Sequence, residues 1–257
     1  MIITTAGRTN QEMKDKARKI ADDLDSEYID RNKRAVNTLH NLLKDDCIVV
    51  GKERLELFPL GESQPFFFHP NSAMFRIKRL LRGESDPFIQ AAELEKGKSI
   101  LDCTLGLGSD SIVASFTVGN EGLVTSLEGN KYLSCIVGKG LGQWESGLES
   151  MDLAMRRIQV KNTMSLPFLV SMPDDSHDIV YLDPMFEETI LESDGIKALS
   201  RFAVYDDLSE EIINQAKRVA REKVVLKDHF RSPRFEEYGF KVYTRKSSKF
   251  HFGVLEN

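Results

Sequence analysis

The stretch SILDCTLGLGSDSIVASF, residues 99–116, decides the fold of this chain. An apolar run ends in Asp102, a turn with Gly106 and Gly108 follows, and an apolar helical stretch comes next. Glycines where a strand turns into a helix let a ligand approach the backbone closely, and the start of the helix offers unpaired N–H groups. The stretch therefore predicts a ligand site at the carboxyl end of a buried strand. An ordinary tight turn is the alternative.

Two acidic residues end later strands of the predicted sheet. Glu128 closes the strand GLVTSLE, twenty residues beyond Gly108, where a carboxylate can accept hydrogen bonds from both hydroxyls of a ribose. Asp183 follows the apolar DIVYL and opens the motif Asp183-Pro184-Met185-Phe186, although Asp-Pro is also a common turn. The full GxGxxG of a dinucleotide site is absent, because residue 111 is serine. Both acids are expected at the edge of the sheet that carries the glycine turn.

The order of the predicted elements indicates an α/β fold. From Ser99 onward, strand-like runs alternate with helical stretches, which predicts a mostly parallel sheet covered on both faces. Seven strands are expected, and the last two, FKVYTR and FHFGVLE, have no helix between them, so they should form a hairpin. A small α/β module is expected ahead of them, with a helix capped by Thr9 or Asn10. The predicted domains are 1–71 for this module and 72–257 for the larger one.

The motifs LDCTLGLGSD, SLEGN, IVYLDPMF and EKVVLKDH, with the terminal KSSKF, resemble those of a known family. They are similar to the bacterial small-subunit ribosomal RNA guanine-N2 methyltransferases called family J, from about Ser99 to Gly253. The string YLDPMF is the most specific part of this resemblance. It implies a class I, Rossmann-like methyltransferase domain, S-adenosyl-L-methionine (SAM) as cofactor, and RNA as partner, either ribosomal RNA or the assembling small subunit.

The residue types of the DPMF motif suit methylation of an exocyclic amine on a base. Such an amine is a poor nucleophile, because its lone pair is delocalised into the ring. Oxygen atoms of Asp183 and a nearby backbone carbonyl can accept its two N–H bonds and favour a pyramidal, attacking nitrogen. Phe186 can stack on the base and hold it in line with the methyl group. Catalysis is therefore expected at Asp183, Pro184 and Phe186.

The glycine turn, the acidic strand ends and the resemblance together give a set of expected SAM contacts. They fall at the glycine loop, at the ribose-binding strand end, on the adenine side and at the catalytic turn. The expected contacts are Asp102, Gly106, Gly108, Ser109, Asp110, Glu128, Gly129, Met164, Ser165 and Asp183.

This sequence also departs from family J in three places. After DPMF the family carries a proline and a strongly basic stretch, whereas this chain reads EETILESDGIKALSRF, with four acids before Gly195. Ser109 stands where the family usually has arginine, and the N-terminal module matches poorly. Two alternatives therefore stay open: a SAM methyltransferase acting on another base, a protein or a small molecule, and a non-catalytic SAM- or RNA-binding module in ribosome assembly. An NAD-dependent oxidoreductase would leave DPMF unexplained.

Composition narrows the class of protein further. The 257 residues contain no apolar run long enough for a signal peptide or a membrane span, so a cytosolic protein without a membrane partner is expected. The three cysteines are far apart and the five histidines show no ligand spacing, so neither a disulfide framework nor a metal site is expected. The chain lacks GxxxxGK[ST] and a Pro-Cys pair, which argues against a P-loop NTPase and a cytosine-C5 methyltransferase.

Basic residues concentrate in two places, although the net charge is −5. Residues 217–249 contain eleven basic and four acidic side chains, a net charge of +7. A second cluster consists of Arg76, Lys78, Arg79 and Arg82. Contact with an RNA backbone is the functional interpretation, and solvated helix faces are the alternative.

Overall fold

The computed structural model describes residues 1–184, 202, 208–245 and 248–257. Its strands are β1 (Ile2–Thr5), β2 (Glu27–Tyr28), β3 (Cys47–Val50), β4 (Leu55–Phe58), β5 (Ser99–Asp102), β6 (Leu123–Glu128), β7 (Gln159–Asn162), β8 (His177–Leu182), β9 (Ala220–His229), β10 (Lys241–Tyr243) and β11 (Phe250–Glu256). Its helices are α1 (Gln11–Asp23), α2 (Val36–Leu43), α3 (Asn71–Leu80), α4 (Pro87–Ala92), α5 (Ser109–Val118), α6 (Lys131–Gln143), α7 (Glu149–Arg157), α8 (Ser165–Ser171), α9 (Glu210–Val219) and α10 (Arg234–Glu237). No helix within these ranges is long and apolar enough to cross a membrane.

The described residues divide into two compact units. The first unit contains Met1–His69, Lys131–Trp144 and residue 202, and the second contains Pro70–Asn130, residues 145–184 and the described residues from 208 onward. The domain boundary between residues 71 and 72 stays a prediction.

The first unit contains a small sheet in the order β2-β1-β3-β4. Strand β1 is parallel to both β2 and β3, and β4 pairs antiparallel with β3. All four residues of β1 are buried, which explains its short apolar run without alternation. Helix α1 begins after Asn10, whose side-chain oxygen accepts the Met13 N–H at 2.9 Å. The predicted small α/β module is confirmed.

The second unit contains a sheet whose described strands follow the order β10-β11-β9-β8-β5-β6-β7. Strands β5 to β9 are parallel to their neighbours among themselves, and β11 runs antiparallel between β9 and β10. The central strands bury Leu101, Val180 and Val224 completely. Helix α9 adds an amphipathic face whose Ile212, Ile213 and Ala216 join the same core. The predicted seven-stranded, mostly parallel sheet with an antiparallel C-terminal hairpin is confirmed.

The order of the strands decides where a ligand site can form. From β5 the chain moves to β6 and β7 on one side, and it then returns to β8 and β9 on the other. The strand order therefore reverses between β5 and β8, and loops that leave the carboxyl ends there open a crevice. Asp102 ends β5, Glu128 ends β6, and Asp183 follows β8 directly. The fold thus brings the three acids singled out from the sequence to one edge, named here the acidic edge.

Candidate active site

The glycine loop after β5 is held together by the carboxylate of Asp102. One oxygen accepts the Thr104 N–H at 2.9 Å, and the other accepts the hydroxyl of Ser111, which also lies 2.7 Å from the hydroxyl of Ser126. Asp102 is 2% exposed, and burial raises the pKa of its carboxyl to about 7. These hydrogen bonds of the Asp102 side chain therefore hold the glycine loop in place.

The two predicted glycines take the backbone conformation for which glycine is suited. Gly106 has φ +49° and Gly108 has φ +73°, both in the left-handed region, and Gly108 is the N-cap of α5. The Gly108 N–H donates to the carbonyl of Leu105 at 2.7 Å, and the Leu105 N–H donates to Leu127 at 2.9 Å. The loop is therefore anchored to the end of β6. Next to it, the buried Ser109 hydroxyl has no hydrogen-bond partner within the described part of the chain.

Glu128 lies at the end of β6, partly exposed. Its carboxylate accepts the N–H of Asn130 at 2.9 Å. Burial raises the pKa of the Glu128 carboxyl, and the backbone N–H groups of Asn130 and Gly106 oppose that rise. The Asn162 amide donates to the carbonyls of Glu128 at 2.8 Å and Gly129 at 3.2 Å. These bonds fix the turn that carries the predicted ribose acceptor.

The Met164-Ser165 pair adjoins the same edge. The Ser165 hydroxyl donates to the carbonyl of Cys103 at 2.9 Å, directly after β5. The preceding Thr163 N–H donates to the carbonyl of Glu128 at 3.2 Å. Met164 is the N-cap of α8 and Ser165 its first residue. The structure therefore brings this pair together with the glycine loop and Glu128.

Asp183 is attached to the glycine loop and to a lysine of β9. Its N–H donates to the Thr104 hydroxyl at 2.8 Å, and its carboxylate accepts the Lys227 ammonium at 2.6 Å. Pro184 is buried directly behind it. Phe186, predicted to stack on the base, lies outside the described residues.

Lys227 connects Asp183 to further charged groups at the acidic edge. Lys227 also reaches the Asp110 carboxylate at 3.1 Å, and the Tyr181 hydroxyl donates to that carboxylate at 3.0 Å. Arg76 lies 2.5 Å from Asp110 and binds the Asp86 carboxylate through two nitrogens, each at 2.8 Å. The sequence placed Arg76 in a basic cluster with two interpretations, RNA contact or a solvated helix face, and the structure instead pairs it with two acids. Sequence reasoning also missed the role of Lys227, although it lies in the motif EKVVLKDH, because its partners Asp110 and Asp183 are far away in the chain.

The pKa values of Asp110 and Asp183 in this network are shifted in opposite directions. Burial by itself would raise the pKa of Asp110, but Lys227 and Arg76 outweigh it and hold that pKa well below its usual range. Burial raises the pKa of Asp183 to about 6, because Lys227 offsets it only in part and Asp110 adds repulsion. Lys227 also loses solvation, yet the two carboxylates raise its pKa. Asp110 is therefore a fixed anion, whereas Asp183 titrates close to neutrality.

Part of the basic stretch at residues 217–249 is paired in the same way. Arg218 binds Asp174 at 2.6 Å, Lys223 binds Glu93 at 2.7 Å, and Arg234 binds Asp228 at 3.3 Å. Arg221 forms an ion pair with Asp178. With Lys227, at least five of the eleven basic side chains form ion pairs, four of them with acids from elsewhere in the second unit, so the net charge of +7 counted along the sequence is neutralised in part.

Comparison with known proteins identifies relatives of this chain. A family model described as "Putative SAM-dependent methyltransferase" matches residues 34–252. The chain is 48% identical over 255 residues to YpiP of Bacillus subtilis strain 168, covering 99% of both chains. It is 28% identical over 230 residues to the ribosomal RNA small subunit methyltransferase J of Legionella pneumophila strain Philadelphia 1, covering 88% of this chain and 86% of that protein.

A solved structure agrees with the fold. The SAM-dependent methyltransferase of Neisseria gonorrhoeae superposes with a TM-score of 0.64 at 16% identity, over 100% of this chain and 96% of that one. The family match covers most of the sequence and includes all the strands that form the acidic edge. The chain belongs to the SAM-dependent methyltransferase family and is an enzyme that uses SAM as its methyl donor.

Proposed function

We propose that this enzyme, in the cytosol, transfers a methyl group to the exocyclic N2 amine of guanine in small-subunit ribosomal RNA. The observation that carries the proposal is the position of the Asp183 carboxylate. It follows a parallel strand at the switch point, precedes a buried proline, and is oriented by Lys227 and Thr104. The named relative in Legionella, a ribosomal RNA small subunit methyltransferase, supports the choice of RNA.

The residues at the acidic edge suit SAM chemically. Glu128 offers a carboxylate for the ribose hydroxyls, and the Ser109 hydroxyl, which has no hydrogen-bond partner among the described residues, offers a polar contact. Gly106 and Gly108 leave two positions of the loop without side chains. The other proposed contacts are Asp102, Asp110, Gly129, Met164, Ser165 and Asp183. The carboxylates of Asp102 and Asp110 already have protein partners, so contacts at these two residues would use their backbone atoms.

When bound, SAM supplies an electrophilic methyl carbon on a positively charged sulfur. The protein must then direct the amine lone pair at that carbon. One Asp183 oxygen is occupied by Lys227, which leaves the other to accept an N–H of the guanine amine. As the new N–C bond forms and the S–C bond breaks, the amine nitrogen becomes positively charged and its proton becomes acidic. Asp183 holds that proton by a hydrogen bond until it leaves to solvent, so no stronger base is needed. Phe186 is proposed to stack on the base.

One sequence feature favours a second candidate, a SAM methyltransferase acting on a different substrate. The four acids between residues 187 and 194 stand where family J has a basic stretch, and they would repel an RNA backbone. A non-catalytic SAM- or RNA-binding role in ribosome assembly differs from both, because it predicts cofactor binding without turnover.

A transfer assay separates these functions. Purified protein is incubated with SAM labelled in its methyl group and with small-subunit RNA or subunits from a strain that lacks the enzyme. The RNA is digested, and the labelled nucleoside is identified by mass spectrometry. The proposal expects N2-methylguanosine, and this product should be lost in Asp183→Asn while affinity for S-adenosylhomocysteine persists. Label in another base or in protein would replace guanine N2, and binding without any transfer would remove the enzymatic proposal for RNA.

A further inference from the structure

The first unit contains a cleft that the methyl-transfer chemistry does not use. Its volume is about 670 Å³. It lies at the carboxyl ends of β1 and β2 and is lined by residues 6–10 after β1, by Met13 and Lys14 on α1, and by residues 30–33 after β2. Crevices at the carboxyl ends of parallel strands are the usual binding places in open α/β sheets. The cleft is named here the N-terminal cleft.

The charge of this cleft is opposite to that of the whole chain. Arg8, Lys14, Arg31 and Lys33 line it, with Asp30 as the sole acid, so its net charge is +3 against −5 for the protein. Four acidic residues lie at the C-terminal end of helix α1 or just after it, at the opposite end of the helix from the cleft. These acids are Asp22, Asp23, Asp25 and Glu27. The local potential at the cleft therefore attracts anions.

Three of the four cations of the cleft, Arg8, Arg31 and Lys33, have no ion pair within the described part of the chain. Arg31 donates to the carbonyls of Thr5 at 3.2 Å and Arg34 at 2.8 Å, which fixes its guanidinium while leaving its charge uncompensated. Within the described part of the chain, neither Arg8 nor Lys33 has an acid within ion-pair distance. Lys14 alone is paired, with Asp30 at 2.6 Å. Several of the basic residues at 217–249 differ, because they pair with acids of the second unit.

The remaining lining indicates what kind of anion fits. Thr9, Asn10 and Asn32 add neutral polar groups, and Gly7 leaves open space, while Ala6 and Met13 are the apolar side chains of the lining. The lining contains no aromatic residue on which a base could stack. Basic and neutral polar groups without a stacking platform suit phosphate and sugar, which position a nucleic acid without reading its sequence.

We propose that the N-terminal cleft binds phosphate groups of the RNA backbone and so adds to the affinity for the substrate. This inference rests on the proposed function, since it takes the substrate to be RNA. Free ribonucleotides carry the same phosphate chemistry, and the experiment distinguishes the two sources.

The test compares two double variants of the full-length protein that remove equal charge from the first unit. Arg8→Ala with Lys33→Ala empties the cleft of its unpaired, exposed cations. Lys19→Ala with Lys52→Ala removes two exposed lysines outside the cleft and serves as the matched control. Binding of a labelled small-subunit RNA fragment is measured by fluorescence anisotropy between about 0.05 and 0.2 M salt. Guanosine monophosphate and S-adenosylhomocysteine are titrated by calorimetry.

The expected result is specific to the cleft variant. Each lost phosphate contact should weaken RNA binding about ten-fold near 0.1 M salt. It should also make the negative slope of log affinity against log salt shallower by about 1. The control should stay close to wild type, and both variants should bind S-adenosylhomocysteine normally. This outcome supports the cleft even if the wild-type protein transfers no methyl group to the RNA, a result that would refute the proposed function alone.

Three results would overturn the inference. Equal losses in both double variants would mean that RNA senses only overall charge. Unchanged RNA affinity in the cleft variant, with loss of guanosine monophosphate binding, would assign the cleft to a free nucleotide. Failure of the wild-type protein to bind either the RNA fragment or guanosine monophosphate would mean that the cleft does not bind phosphate groups.

Discussion

The two units present the carboxyl ends of parallel strands in opposite electrostatic forms. In the first unit, the N-terminal cleft collects four basic side chains around one acid. In the second, the acidic edge collects Asp102, Glu128 and Asp183, with Asp110 directly beneath. The same local architecture, a strand followed by a loop and a helix, therefore presents opposite charges in the two units, and the side chains of the loops decide which.

The two sites also differ in how their charges are stabilised. Arg76, Asp110, Lys227 and Asp183 are each less than a quarter exposed and are held by several partners. Arg8 and Lys33 are exposed and rely on water. Buried ions need partners in fixed geometry, which suits the orientation of a reacting amine. Exposed ions contribute little to stability but act at longer range, which suits capture of a polyanion.

The largest expected effect comes from removing a lysine from each site. Lys227→Met leaves Asp183 buried without its cation and should lower the free energy of unfolding by about 3–5 kcal/mol. Lys14→Met breaks the partly exposed pair with Asp30, whose two side chains are 27% and 35% exposed, and should change the free energy of unfolding less. Urea denaturation of both variants measures the difference.

The pH dependence of stability in the Lys227→Met variant gives a second test of this difference. Without Lys227, Asp183 binds a proton more readily in the folded than in the unfolded protein. Stability of this variant should therefore fall as the pH rises from about 4, the pKa of an unfolded aspartate, through the raised pKa of Asp183 in the folded protein. Equal losses of stability in Lys227→Met and Lys14→Met, or a loss in Lys227→Met that does not depend on pH, would contradict the contrast between the buried network of Lys227 and the more exposed pair of Lys14.

The second effect concerns catalysis. Asp183→Asn keeps the shape of the side chain but removes the negative acceptor, so kcat should fall about 10²–10³-fold, or roughly 2.7–4 kcal/mol. The affinity for S-adenosylhomocysteine should change little. Methyl transfer under single-turnover conditions measures the rate, and Arg8→Ala is the counterpart in the cleft, expected to lower RNA affinity at unchanged kcat. Substantial activity in Asp183→Asn would remove Asp183 from the mechanism.

The third effect concerns the cofactor. Glu128→Ala should weaken binding of S-adenosylhomocysteine by about 1.5–3 kcal/mol, because charged hydrogen bonds to the ribose are lost. Glu121→Ala removes an exposed acid of the same unit and is the matched control. Calorimetric titration of both variants checks the assignment, and equal affinities would exclude Glu128 as the ribose acceptor.

The smallest expected effect is the pH dependence of methyl transfer. Asp183 must be ionised to accept the amine N–H, and its pKa is raised to about 6. The rate should therefore fall about ten-fold between pH 7 and pH 5 as Asp183 takes up a proton. Single-turnover rates at saturating RNA and SAM measure this. A midpoint near 7 would instead point to Asp102, whose pKa is raised to about 7.

Much of the second unit could be predicted from the sequence. Apolar runs ending in Asp102, Glu128 and Leu182 predicted β5, β6 and β8, and the missing helix before β11 predicted the antiparallel hairpin. These features depend on local periodicity and on chain order, so short windows of sequence contain them. Since parallel strands end together, the convergence of the acids on one edge followed as well.

The charge partners could not be predicted. Arg76 and Asp110 are 34 residues apart, Lys227 and Asp110 are 117 apart, and Lys223 and Glu93 are 130 apart. Counting charges along residues 217–249 therefore left RNA contact and solvated helix faces both open, whereas the structure pairs at least five of those side chains with acids. The N-terminal cleft was missed because its four cations come from the loop after β1, from α1 and from the loop after β2, and only the fold brings these segments together.

The sequence by itself thus determined the α/β fold, the methyltransferase family and the acids at the strand ends, because strand period, helix period and motif order are local properties. The tertiary structure alone decided which charges are neutralised and which remain available, such as Lys227 between two acids and Arg8, which has no ion pair among the residues that the structure describes. The physical reason is that electrostatic energy depends on distance and burial, and folding sets both between residues that are far apart in the chain.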